Sequence, residues 1–131
     1  MKIAIDFDGT LVEHMFPEIG LEVPLAFHYM KEFQKAGAKL ILWTMRSDFQ
    51  EVGPVLSQAL KFCQDRGIMF KGINEGINDR EWTTSPKAHA NIYIDDAAFG
   101  CPLIPARESG RPMVDWSVVG PAVLERLQSN Q

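Results

Sequence analysis

Three short apolar runs in this chain lead directly into residues that can do chemistry. Asp6 and Asp8 follow Ile3-Ala4-Ile5, Thr44 follows Leu40-Ile41-Leu42-Trp43, and Asp95 and Asp96 follow Ile92-Tyr93-Ile94. Lys87 stands shortly before the last run. Carboxylates gathered at one place repel one another, and a divalent cation relieves that repulsion. Hard oxygen ligands favour Mg²⁺. A carboxylate can also act as a nucleophile, and a second one as an acid and base. Each element alone has an ordinary reading. Asp-Gly after a strand is a common turn, Asp-Asp can cap a helix, Thr44 can cap the segment after it, and a single Lys is usually solvated. The joint occurrence in this order, at three strand ends, is what points to a site.

Such residues need a scaffold that brings distant positions together. Residues 2–7, 39–43, 68–73 and 91–94 read as short buried strands. Between them lie helical patterns. Pro24 suits a helix start, and Ala26, Met30, Phe33 and Ala36 recur at helical spacing before Gly37. Pro54 opens a second helix, with Val55, Leu56, Ala59, Leu60 and Cys63 on its inner stripe and Gly67 at its end. Residues 11–23 and 74–90 read as loop, 97–113 as mostly loop, and residues 121–127 as a closing helix. This order implies an α/β domain with a largely parallel sheet and helices on both faces. Open parallel sheets gather ligand-binding residues at the C-terminal ends of their strands.

The 131 residues fit a single domain, and 46% hydrophobic content suffices for a core. A net charge of −4 argues against a nucleic-acid partner, which needs clustered Lys and Arg. Two cysteines, Cys63 and Cys101, form no CxxC pair and cannot make a zinc site alone. No apolar stretch approaches the ~20 residues of a membrane helix, and the N-terminus is not a signal peptide. A cytoplasmic location is the expectation.

The motif order resembles the haloacid dehalogenase superfamily of phosphohydrolases. Its DxDGT motif is matched by Asp6-Phe7-Asp8-Gly9-Thr10, its second-strand Thr by Thr44, its lysine by Lys87, and its paired acids by Asp95-Asp96. The likeness spans residues 3–96. It implies a three-layer Rossmann-like fold, Mg²⁺ as cofactor and a phosphatase that works through an aspartyl-phosphate. Asp6 would be the nucleophile and Asp8 the general acid and base. Thr44 and Lys87 would bind the transferring phosphoryl group. Asp6, Asp95 and the backbone carbonyl of Asp8 would hold the metal. Asp96 would be a further ligand or would orient one. Neither the 9–43 gap nor the 74–86 gap can hold a folded cap, so residues 1–131 read as one capless domain.

Loop residues Glu13, His14, Arg46, Asn74, Asn78 and Arg80 are the candidates for specificity. Arg46, two past Thr44, would bind a second anionic group of the substrate or form a surface ion pair. Trp82 would cover the site or pack under its loop. A small phosphorylated metabolite is the expected substrate, with self-association or the 97–113 segment narrowing the entrance. Two other readings compete. A phosphoacceptor signalling module places its acids in a different order, and a noncatalytic interaction domain would not need every reactive side chain in place.

Overall fold

A computed structural model describes residues 1–129. Strand β1 (Lys2–Ile5) leads through a long loop to helix α1 (Ala26–Lys35). Strand β2 (Lys39–Leu42), helix α2 (Val55–Gln64), strand β3 (Gly72–Ile73) and strand β4 (Ile92–Ile94) follow. A short pair, β5 (Leu103–Ile104) and β6 (Met113–Val114), precedes helix α3 (Trp116–Ser129). The main sheet is parallel, in the order β3-β2-β1-β4. The α/β class and the parallel sheet are those the sequence indicates.

Alternation along the strands assigns the two faces. Ile3, Ile5, Leu40 and Leu42 join one core with Met30 and Phe33 of α1, Ala59 and Cys63 of α2, and Trp116, Val123 and Leu127 of α3. Ala4 and Ile41 point the other way and meet Ala88. Parallel crossovers are right-handed, so two successive steps in one direction put α1 and α2 on the same face. The return from β3 across to β4 falls on the opposite face. That third layer is the 74–90 segment, read as loop from the sequence, with one 3₁₀ turn (Asp79–Glu81), so this face carries no long helix where crossover handedness leads one to expect helices on both faces.

Three boundaries differ from the sequence expectation. β3 covers two residues rather than 68–73. Ile68 N–H bonds the Cys63 carbonyl at the end of α2, and Met69 N–H bonds Gln34 Oε1, so these donors never reach a ladder. α3 begins at Trp116, ahead of Pro121, because Asp115 Oδ1 accepts the Ser117 N–H and caps the helix. The 97–113 segment is not all loop. Leu103 pairs with Val114 and Ile104 with Met113, antiparallel.

α1 and α3 meet at Gly120, where a Cβ would collide with the body of the Tyr29 ring. Gly→Ala inside a helix ordinarily gains about 1 kcal/mol of propensity. Here overpacking costs about 1–3 kcal/mol and decides the sign. Gly120→Ala should therefore lower the urea midpoint with an unchanged m value, whereas a gain in stability would show that the two helices can separate freely.

Candidate functional site

The sheet register sets three acidic residues level with one another. Ile5 pairs with Leu42 on one side and Ile94 on the other. Asp6 N–H then bonds the Ile94 carbonyl, and Trp43 N–H bonds the Ile5 carbonyl. Asp6 thus emerges between Trp43-Thr44 and Asp95-Asp96. Asp6, Asp95 and Asp96 each offer one carboxylate oxygen, and these lie within 4.8 Å of one another.

This clustering leaves an electrostatic mark. Burial, with the Asp95 charge and an Asp96 hydrogen bond added, pushes the Asp6 carboxyl up to about 8. Burial also raises Asp95 above the ordinary carboxylate range. Such a group holds a proton where solvated Asp would not, which is the deficit a cation would fill. The residues therefore fit Mg²⁺. The Asp8 carbonyl, the expected backbone ligand, accepts no hydrogen bond among the described residues, so it too is available.

The loop after β1 is built around these acids. The Thr10 hydroxyl donates to Asp6 Oδ2 at 3.0 Å and accepts the Asp96 N–H at 3.2 Å. Its carbonyl takes the Trp116 indole N–H, which ties the motif to α3. Gly9 has φ +86°, and a Cβ there would collide with His14 and Asp96. That space lets His14 Nε2 come within 2.8 Å of Asp96 Oδ2.

Thr44 and Asn74 close the site from the β2 and β3 ends. Thr44 N–H donates to Asn74 Oδ1 at 2.7 Å, and Thr44 Oγ1 accepts the Arg46 N–H. Two hollows flank this point. One, of about 330 Å³, is lined by Asp6, Trp43, Thr44, Met45, Pro86 and Asp95, with Asn74. The other, of about 360 Å³, shares Asp6, Thr44, Met45 and Asp95 and adds Asp8, His14, Phe16, Asp96 and Arg111, with Arg46 at its wall. Asp6 stands where they join.

Arg46 does not take the anion-binding role. Its side chain is 1% exposed. Nε and Nη2 donate to the two Asp8 oxygens at 2.8 Å each. Nη1 donates to the carbonyls of Pro17 and Val55, and Nη2 also to that of Glu18. A guanidinium has five N–H donors, and all are spent inside the protein. The ion-pair alternative is the one realised, and it is buried.

Lys87 is not brought to the carboxylates. Its ammonium lies 5.5 Å from the Tyr93 ring centroid, in a separate hollow with Trp82, Ser85 and His89. The neighbouring Pro86 does line the Asp6 hollow, so only the backbone reaches its rim. Trp82 packs edge-on to His89 and covers no carboxylate.

Other loop candidates prove structural. Glu13 is buried and accepts N–H groups from Glu108 and Ser109 and a bond from Arg107 Nε. Burial works to raise its pKa, but those donors outweigh it and hold it low. Arg80 pairs with Glu75 and the Ser85 carbonyl, within the 74–90 segment. Asn78 supplies the left-handed residue, φ 62°, ahead of the 3₁₀ turn. The sequence reading missed Phe16 and Arg111. Arg111 sits in a Gly-Arg-Pro stretch that gives no sign of pointing toward strand ends 15 residues or more away in sequence. No helix among the described residues is long and apolar enough to cross a membrane.

The raised Asp6 pKa has a stability consequence with a definite sign. A carboxyl at about 8 when folded and near 3.8 when unfolded stabilises the fold at low pH, and that contribution fades as pH rises from about 4 to about 8. Metal-free protein should lose thermal stability over this window. Added Mg²⁺ should raise Tm more at pH 8 than at pH 5.5, with protons released on binding. Scanning calorimetry in EDTA and in Mg²⁺ checks both. A Mg²⁺ shift independent of pH would remove the cation from this cluster.

No protein-family model and no curated protein sequence matches the chain. Among solved structures, the chain is similar along nearly its whole length to that of a conserved protein coded by a locus of Bacteroides thetaiotaomicron. It is 35% identical, with a TM-score of 0.75, covering 96% of this chain and 91% of that one. At that identity and coverage, the chain and this Bacteroides protein belong to one family.

Proposed function

We propose that this protein is a Mg²⁺-dependent phosphohydrolase that acts on a small phosphorylated metabolite through an aspartyl-phosphate on Asp6. The observation that carries this reading is the position of Asp6. It is partly buried beside Asp95 and Asp96, and it opens at the junction of two hollows that are both lined by Thr44. The motif order that resembles haloacid dehalogenase phosphohydrolases supports the same reading.

In the first step an Asp6 oxygen bonds to phosphorus while the bond from phosphorus to the alcohol oxygen breaks. That oxygen takes a proton from Asp8. In the second step water attacks phosphorus and yields its proton to Asp8. The bond to Asp6 breaks, phosphate leaves and Asp6 is restored. The Thr44 hydroxyl is placed to donate to the phosphoryl oxygens, since its Oγ1 already accepts from Arg46 N–H. Mg²⁺ held by Asp6, Asp95, Asp96 and the Asp8 carbonyl would supply positive charge to the phosphoryl group. Lys87 has to turn away from Tyr93 to take part.

Asp6→Asn should abolish steady-state hydrolysis of phosphate monoesters, with a loss of several orders of magnitude in kcat and a near-native Tm, because an amide cannot form the covalent intermediate. Near-normal turnover in purified Asp6→Asn would end the proposal.

Asp8→Asn should lose about 10²–10⁴ in rate on alkyl phosphates. It should lose much less on nitrophenyl phosphate, whose leaving group needs no proton. Equal losses on the two substrates would take the acid role away from Asp8.

A further inference from the structure

The two hollows that meet at Asp6 are not equivalent. Asp8, the proton donor in the reading above, lines only the hollow of about 360 Å³. Asp6 and Asp95 line both hollows and so do not tell them apart. An alcohol oxygen must lie beside the group that protonates it. The leaving alcohol therefore occupies this hollow, and the side chains that line it read its structure.

Those side chains include one uncommitted cation. Arg46 has no N–H to spare, and Lys87 lies in another hollow. The Arg111 guanidinium makes no ion pair or hydrogen bond with a described residue, yet it lines the hollow beside Asp8.

Its backbone is firmly mounted. Ser109 Oγ accepts the Arg111 N–H at 3.1 Å and donates to the Arg111 carbonyl at 3.3 Å. Ser109 and Glu108 are held by the buried Glu13 carboxylate. Two residues beyond Pro112, Val114 N–H bonds the Gly9 carbonyl, next to Asp8 itself. An exposed arginine with no partner among the described residues, on a fixed stretch of chain at the wall of a pocket, is what recognition of a second oxyanion requires.

We propose that Arg111 is a specificity residue that binds an acidic group on the leaving alcohol, so that the substrate is a phosphate monoester carrying a second phosphate or a carboxylate. This rests on the phosphohydrolase reading for the identity of the leaving side. Phe16, half exposed in the same hollow, would contact the carbon skeleton between the two acidic groups.

The test compares three esters on one three-carbon skeleton: propyl phosphate, 3-phosphooxypropanoate and propane-1,3-diyl bisphosphate. Wild type should prefer an acidic ester, and the better of the two identifies the second group as carboxylate or phosphate. Arg111→Ala should lower kcat/KM for that ester about 10–100-fold, the worth of one charged hydrogen-bonded contact, and for propyl phosphate several-fold less. Arg111→Lys should restore part of the preference. Equal losses on all three esters, or no loss on any, would overturn the proposal.

Calorimetric affinities in Mg²⁺ separate this outcome from failure of the underlying reading. They are measured for the same three esters on Asp6→Asn and on Asp6→Asn/Arg111→Ala. Absence of turnover by wild type would end the phosphohydrolase reading. Arg111 is then judged on affinity alone. A preference for the acidic esters that disappears in the double variant upholds its role, and identical affinities in the two variants reject it.

Discussion

The cost of holding the Asp6 carboxylate away from water, beside two others, is the constraint to which the rest of the site answers. Burial is the largest influence on that group, ahead of the Asp95 charge. It is imposed by the sheet. β1 is an inner strand, so its end is flanked by the ends of β2 and β4, and the residue after Ile5 is left only partly exposed, toward the hollows at the strand ends. The nearest side chains each relieve part of the cost. Thr10 donates to Asp6, His14 meets Asp96, and Gly9 leaves the volume that this last contact occupies. Among the described residues no Lys or Arg pairs with Asp6, which is why the cluster still favours a cation.

Buried acids elsewhere in the chain behave in the opposite way, and the contrast explains how the loops are held. Glu13 and Asp79 are as buried as any core residue, but backbone N–H groups point at both. The His89 N–H leads the effects that hold Asp79 low. Each of these carboxylates anchors a segment that borders the site: Glu13 the stretch that bears Arg111, Asp79 the stretch that bears Pro86. One residue type thus serves two ends. An acid surrounded by donors fixes a loop, and an acid surrounded by acids makes a place for a ligand.

How much of this was legible in the sequence follows the range of the forces involved. The strands that end at Asp6, Thr44 and Asp95 are marked by local apolar runs, and α1 and α2 by their periodicity, so their positions could be read directly. The fate of residues 68–71 could not. The Ile68 donor is taken by the Cys63 carbonyl in the turn that ends α2, and those of Met69 and Lys71 by Gln34 and Leu40, partners that only tertiary packing brings near. The β5-β6 pair was hidden by the prolines and glycines around it. Arg46 and Arg111 show the same limit at the site. Both look like loop arginines in the sequence. What separates them is the count of acceptors around each guanidinium, five from three chain segments for Arg46 and none among the described residues for Arg111. Lys87 matches a motif by order alone, and order does not determine which way a four-carbon side chain leans.

The Asp8–Arg46 pair sets a condition on any proton transfer by Asp8. Both carboxylate oxygens accept from the guanidinium, so in this arrangement Asp8 has no oxygen free to carry a proton toward the hollow. A protonated Asp8 would give up one of two charge-assisted bonds and turn outward. Arg46 would not follow. Three backbone carbonyls, from Pro17, Glu18 and Val55, hold it independently of Asp8, and the faces of Phe7 and Phe16 lie about 5 Å from it. In the proposed reaction the arginine would be a fixed post, and the aspartate the part that docks and undocks. That division fits a general acid and base, which must present an ionised and a neutral face in turn. It also leaves Arg46, the most deeply buried cation at these strand ends, with no N–H to offer a ligand.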